Sequence, residues 1–227
     1  MLEETPRRIE LKCLYASKDF SRIEKFLYSS ELSFYEPYPS RFVNSIYFDT
    51  IDLTFLDESL GGTSTRNKWR CRWYGNLVDS QKTTFEIKKK YGHTSWKVLI
   101  KDRFEVNPLE TDWENFILPK FPDGLSVFGL KCENFFPMSI VRYKRKYFVS
   151  ANGKIRVTLD DDLQFYSQRN HCVPNVKISE GSDSSVVMEL KLKPDDIHLV
   201  SSFSQSIRFT PMRFSKYCES QINRILS

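Results

Sequence analysis

Apolar and charged residues alternate along most of this chain, and that alternation sets the first expectation for its structure. Successive side chains of a strand point to opposite faces, so a period of two marks a half-buried strand. On this pattern strands are predicted over residues 7–14, 42–49, 67–75, 83–90, 95–104, 139–149, 154–160 and 185–193. Turn chemistry separates them at Tyr74-Gly75-Asn76, at Tyr91-Gly92 and at Asn152-Gly153, the last between two strand-like runs as in a hairpin. Helical spacing is rarer. Phe20, Ile23, Phe26 and Leu27 predict a helix over 19–29 with Ser17 as its cap. Shorter helices are predicted over 51–60 and 110–118, and a last one over 215–226 with Tyr217, Ile222 and Ile225 as apolar positions. The stretch 161–184 is polar and reads as a long irregular connection. About eight strands with few helices predict an α+β domain built on a closed antiparallel β-barrel, with residues 1–227 as one domain.

The residues that share a face carry the chemistry. Arg8, Glu10 and Lys12 oppose Ile9, Leu11 and Cys13; Lys68, Arg70 and Arg72 oppose Trp69, Cys71 and Trp73. Glu86, Lys88 and Lys90 oppose Phe85 and Ile87, Arg156 and Thr158 oppose Val157 and Leu159, and Glu189, Lys191 and Lys193 oppose Leu190 and Leu192. A solvated outer face explains any one of these strands. Solvated faces, however, normally mix in Ser, Thr, Asn and Gln, whereas nearly every position here is Arg, Lys or Glu. Turned inward around a closed barrel, these faces make a polar bore. So many cations in a low-dielectric interior repel unless a polyanion joins them, and phosphate matches both Arg forks and Lys ammonium groups. The interleaved Glu residues suit a hard cation such as Mg²⁺ or Mn²⁺, which takes carboxylate and phosphate oxygens together.

Composition narrows the classes. The 227 residues carry 34 basic and 29 acidic side chains, a net charge of +5 that permits an anionic ligand without marking a nucleic-acid binder. Five scattered cysteines (Cys13, Cys71, Cys132, Cys172, Cys218) and three scattered histidines argue against a zinc site and read as core residues of a reducing compartment. No apolar run reaches the ~20 residues of a membrane span, and the charged start MLEETPRRIE predicts no signal peptide. The expectation is a cytoplasmic protein.

The same strands resemble, in order, the motifs of the VTC domain, the catalytic module of the vacuolar transporter chaperone complex. That domain belongs to the triphosphate tunnel metalloenzymes, relatives of the CYTH triphosphatases and adenylyl cyclases. The resemblance rests on RIELK (Arg8–Lys12), NSIYFDT (Asn44–Thr50) followed by Leu60-Gly61, RNKWRCRWYG (Arg66–Gly75) and FEIKKK (Phe85–Lys90). It continues through VRYKRKYF (Val141–Phe148), KIRVTLDDDL (Lys154–Leu163), VMELKLK (Val187–Lys193) and RFSKY (Arg213–Tyr217).

It implies a catalytic ring of Lys12, Arg70, Arg72, Lys88, Arg145, Arg156, Lys191 and Lys216, with further phosphate contacts from Arg8, Lys101, Arg213 and Ser215. Lys97 and Arg103 are alternatives to Lys101. Glu189 would be the principal metal ligand, helped directly or through water by Glu10 and Glu86, with Mn²⁺ or Mg²⁺ as cofactor. The implied reaction makes polyphosphate and ADP from ATP. An inorganic or nucleoside triphosphatase, or a non-catalytic polyphosphate-binding module, is the alternative. Nucleic acid is not an expected partner, because Glu on the basic faces would repel its backbone. Arg66 and Lys68 read as rim residues, Tyr47 and Asp49 as braces, and Trp69, Trp73 and Trp96 as packing residues. Family members with polymerase roles carry a phosphate-sensing SPX domain and membrane spans; neither is found in this sequence, and a membrane-bound partner is compatible with it.

Overall fold

The structure is a computed structural model that describes residues 2–79, 81–100, 104–113, 135–171, 174–207 and 209–226. Lys101, Arg103, Cys132, Cys172 and most of the helix expected over 110–118 lie outside these residues. The described strands are β1 (Leu2–Glu4), β2 (Arg8–Tyr15), β3 (Arg41–Asp49), β4 (Thr65–Tyr74), β5 (Gln81–Tyr91) and β6 (Thr94–Ile100). They continue with β7 (Phe104–Val106), β8 (Phe136–Val149), β9 (Arg156–Ser167), β10 (Gly181–Asp183) and β11 (Val186–Leu192). The helices are α1 (Phe20–Ser29), α2 (Thr54–Gly61), α3 (Leu199–Ser206) and α4 (Lys216–Leu226). None of them is long and apolar enough to cross a membrane.

Hydrogen-bonded neighbours run β6–β2–β11–β9–β8–β3–β4–β5, and β5 pairs back with β6. Every pairing is antiparallel, so these strands close into a barrel of eight. Closure turns the charged faces inward and leaves the apolar faces outside, where they need cover. On one side Ile46, Phe48, Trp69, Cys71, Trp73, Phe85 and Ile87 form an outer shell with Phe55 of α2. On the other, Cys13, Phe148, Val157, Leu159, Met188 and Leu190 pack against Ile23 and Leu27 of α1 and Phe203 of α3. A third cluster, Val43, Tyr47, Val141, Tyr143, Leu163, Phe165 and Val187 with Tyr217 and Cys218 of α4, fills one end of the interior. Burying a side chain of this size stabilises by roughly 1.5–3 kcal/mol, so the helices are held by the faces they cover. Trp69 and Trp73 are packing residues, as expected, and Cys13, Cys71 and Cys218 are buried free thiols.

Four local expectations change. The strand predicted over 154–160 runs on to Ser167, and β10 pairs with it. Asp160 is ion-paired inside, and Asp162 takes a positive φ (52°), after which Leu163 and Phe165 face inward. The connection expected to be irregular is therefore part strand. Helix α3 was not predicted; its Ser-rich run hides Leu199, Val200 and Phe203, which reach the outer shell. Ser17 does not cap α1 but opens a short 3₁₀ turn before it. Helix α2 is capped at a distance, with Asp49 Oδ1 accepting from Phe55 N (2.9 Å) and Oδ2 from Leu56 N (3.0 Å). Asp49 Oδ2 also accepts from Tyr217 Oη (2.6 Å), so one carboxylate ties β3, α2 and α4 together, the bracing role expected of it.

Candidate functional site

A cavity of about 1100 Å³ occupies the bore. Following the registers around the barrel, with the strand tilt that closure requires, sorts the inward residues into layers. Glu10, Glu189, Asp160, Tyr143, Arg70 and Lys88 share a middle layer. One step along each strand lie Arg8, Lys191, Arg145, Arg72, Glu86 and Lys97 on one side, and Lys12, Lys68 and Lys90 on the other. Carboxylates and arginines interlock on the first side. Glu86 Oε2 accepts from Arg70 Nε (2.8 Å) and Nη2 (2.5 Å), and both its oxygens accept from Lys97 Nζ (3.0 and 2.9 Å). Asp160 accepts from Arg145 Nε and Nη2 (2.5 and 2.7 Å) and from Lys216 Nζ (2.6 Å). Glu189 lies 3.0 Å from Lys191 Nζ and 3.6 Å from Arg145 Nη2, while Glu10 pairs with Lys88 and with Arg8 Nε (3.0 Å).

These surroundings fix the charge states. Burial works to raise the carboxyl groups, but Lys88, Lys191 and Arg8 bring Glu10 down to about 2, and Arg145 and Lys216 bring Asp160 to about 2. Glu189 is held well below the usual carboxylate range by Lys191, Lys12, Lys88 and Arg145, against its burial. Burial and the cations Lys12, Lys88 and Arg66 lower Lys68 to about 7, and burial with Arg145 and Arg8 lowers Lys191 to about 8. Cations outnumber carboxylates in the bore, and the excess presses against itself.

The predicted residues Arg8, Glu10, Lys12, Arg70, Arg72, Lys88, Arg145, Glu189, Lys191, Arg213, Ser215 and Lys216 all line this cavity. Three expectations need correction. Arg156 stands exposed at the rim, one step beyond the layer of Arg145, so it does not share the ring. Glu86 does not face the cavity as a ligand, because Arg70 and Lys97 occupy its oxygens; it is their counter-charge. Lys68, expected at the rim, lines the cavity and donates to Ser215 Oγ (2.5 Å). That same hydroxyl accepts from Cys218 N (3.3 Å), which caps α4. Arg213 packs over Gly62, whose φ of +70° and missing Cβ make room for the guanidinium. Tyr47 also lines the cavity and accepts from Arg70 Nη1 (3.3 Å). Sequence reasoning missed Asp160, although its parity with Arg156 and Thr158 was signal enough to place it inside.

An antiparallel barrel of eight strands with this cation-lined bore defines a triphosphate-tunnel fold. It superposes on a candidate adenylyl cyclase of Hippeastrum described as having a dominant triphosphatase activity (TM-score 0.55, 13% identity, 97% of each chain covered). A candidate adenylate cyclase of Bacillus halodurans superposes similarly (TM-score 0.53, 13% identity, 93% of this chain and 96% of that one). Within that class the chain belongs to the VTC-domain family, whose model matches residues 7–126 and 127–222. Among curated proteins none matches this sequence.

Proposed function

We propose that this chain is a metal-dependent phosphoryl transferase that extends inorganic polyphosphate with the terminal phosphate of ATP. The observation that carries the reading is the bore itself, in which surplus cations and two adjacent carboxylates, Glu10 and Glu189, face one cavity. Membership in the VTC-domain family supports polyphosphate as the product.

A divalent metal fits the donor set. Hard cations bind through one or two carboxylates and take the rest of their shell from substrate phosphates and water. Glu189 and Glu10 are ionised and meet that need. Among the described residues no group of three or more His, Cys, Asp or Glu side chains gathers to hold a metal alone, so the phosphate chain would complete the site. When bound, Mn²⁺ or Mg²⁺ supplies charge neutralisation on phosphate oxygens.

The remaining work falls to the chain's own side chains. Arg72, Arg145 and Lys191 orient the triphosphate, and Asp160 holds Arg145 and Lys216 in place before substrate arrives. The terminal oxygen of the polyphosphate bonds to the γ-phosphorus while the bond from that phosphorus to the β,γ-bridging oxygen breaks, and ADP leaves with the electron pair. The acceptor oxygen is already anionic, so no proton has to be removed. Charge in the transition state spreads over the peripheral oxygens, where fixed Arg and Lys groups stabilise it without reorganising. Water as acceptor would make the same site a triphosphatase, the reading favoured by the activity described for the Hippeastrum neighbour.

One assay separates these readings: pure protein with ATP and Mn²⁺, with and without a short polyphosphate primer. Lengthened polyphosphate is the expected product; free phosphate alone would replace the polymerase by the hydrolase. Tight triphosphate binding with no turnover would leave a binding module. Glu189→Gln should abolish activity while Glu31→Gln, at an exposed position, should not; equal activity in both would refute the metal assignment.

A further inference from the structure

Strand β4 and helix α4 meet in the bore through two side chains to which transfer onto polyphosphate assigns no step. Lys68 Nζ lies 2.5 Å from Ser215 Oγ, and both residues line the cavity. Ser215 caps α4, its Oγ accepting from Cys218 N (3.3 Å), so the hydroxyl sits where helix-terminal N–H groups favour negative charge. Lys12 of β2, Lys88 of β5 and Arg66 of its own strand press on Lys68, Cys218 of α4 favours its charge, and among the described residues no carboxylate pairs with it. Glu219 lines the same cavity and Glu189 acts on Lys12, yet neither is a leading influence on Lys68. Burial and the three cations leave its amine divided between charged and neutral forms around pH 7. The ammonium form donates to Oγ; the neutral form accepts from the hydroxyl across the same distance. An amine so placed and so tuned is a general base beside its nucleophile.

We propose that Ser215 and Lys68 form a catalytic dyad through which the protein phosphorylates itself, Ser215 Oγ taking a phosphoryl group from the bound triphosphate. It rests on the phosphoryl-transfer reading and adds a second acceptor to it. Lys68 lies one layer from Glu10 and Glu189, the carboxylates that would hold the metal on the phosphate oxygens. Lys68 Nζ removes the proton from Oγ. Oγ bonds to the γ-phosphorus while the bond from that phosphorus to the β,γ-bridging oxygen breaks, and ADP leaves with the electron pair. The products are phosphoserine, ADP and the Lys68 ammonium. The new phosphate sits among Lys12, Lys68 and Arg213, which line the same cavity. Its ionised oxygen is an acceptor of the same kind as the end of a polyphosphate chain, so a chain can begin on the protein when no free primer is present.

The test is mass spectrometry of the full chain after incubation with ATP and Mn²⁺ and then denaturation, which strips phosphate that is not covalently held. Wild type should carry a phosphoryl group on Ser215 that survives mild acid, as a phosphate ester does and a lysine phosphoramidate does not. Ser215→Asn keeps a capping side chain for α4 without the hydroxyl and should carry none. Lys68→Arg keeps the charge but cannot give up its proton. It should still bind triphosphate and be labelled at least about a hundredfold more slowly. Labelling of wild type should rise with pH through about 7 and above, as Lys68 becomes neutral, and that rise should be absent in Lys68→Arg. Wild type that turns over ATP yet carries no phosphoryl group on Ser215, or Lys68→Arg labelled as fast as wild type, overturns the dyad and leaves the phosphoryl-transfer reading standing. An acid-labile label on Lys68 does the same. No turnover and no label, with or without triphosphate bound, overturns both.

Discussion

At the scale of single residues, the bore works through which of its charges are paired and which are not. Asp160 shows the first case: replacing it by Asn leaves Lys216 buried without its counter-ion and Arg145 with Glu189 alone, at 3.6 Å, and breaking a buried pair costs ~3–5 kcal/mol. Thermal melts of Asp160→Asn should show that loss, and a melt within a degree of wild type would refute the role. Asp160 and Glu10 titrate at about 2, below the ordinary 3.8 and 4.5. The folded state therefore binds fewer protons than the unfolded chain in that window. Their stabilisation is present above the ordinary values and is lost as pH falls toward 2. Lys68 shows the second case. Its folded value of about 7 lies below the ordinary 10.5, and an anion bound beside it would raise it again. Polyphosphate binding should therefore take up a proton above pH 7 and weaken as pH rises through that value, more steeply in wild type than in Lys68→Arg. Parity along strands made the inward set legible, including Lys12, Arg70, Lys88 and Glu189. It did not reveal that Glu86 would be consumed by Arg70 and Lys97, because a partner across strands is a matter of register, not of spacing along one strand.

At the scale of elements, the long alternating runs were legible and the short or interrupted ones were not. Strands β2, β4, β5 and β11 lie within a residue or two of their expected bounds. The second half of β9 was lost because Asp162, in the left-handed region, shifts the inward parity and breaks the period of two. Helix α3 was lost because serines occupy most of its turns. What joins the elements at the end of the barrel is again a polar contact, Tyr217 Oη donating to Asp49 Oδ2. Tyr217→Phe leaves that buried carboxylate one donor short and should cost ~1.5–3 kcal/mol in chemical denaturation. No change in the midpoint would show that α4 is held by its apolar face alone. The outer shell makes the contrasting demand: Trp69→Ala, at a fully buried ring, should cost ~3–5 kcal/mol.

At the scale of the whole molecule, one decision organises the rest. Five strands with charge on one face and apolar groups on the other can lie flat with their charges in water, or close with their charges inside. Parity permits both; the strand count, the nearly unbroken Arg, Lys and Glu of those faces and the resemblance in motif order favoured closure. The pairing of β5 with β6, and of β6 with β2, settles it. Closure concentrates cations beyond what the carboxylates balance, and that excess is the physical reason to expect a phosphate chain within. The most direct measurement is a crystal structure of the protein soaked with inorganic triphosphate. Phosphate groups seated inside the bore, against Arg72, Arg145 and Lys191, are the predicted result. Triphosphate found only on the outer surface or at the exposed rim near Arg156, with the bore empty, would contradict the account.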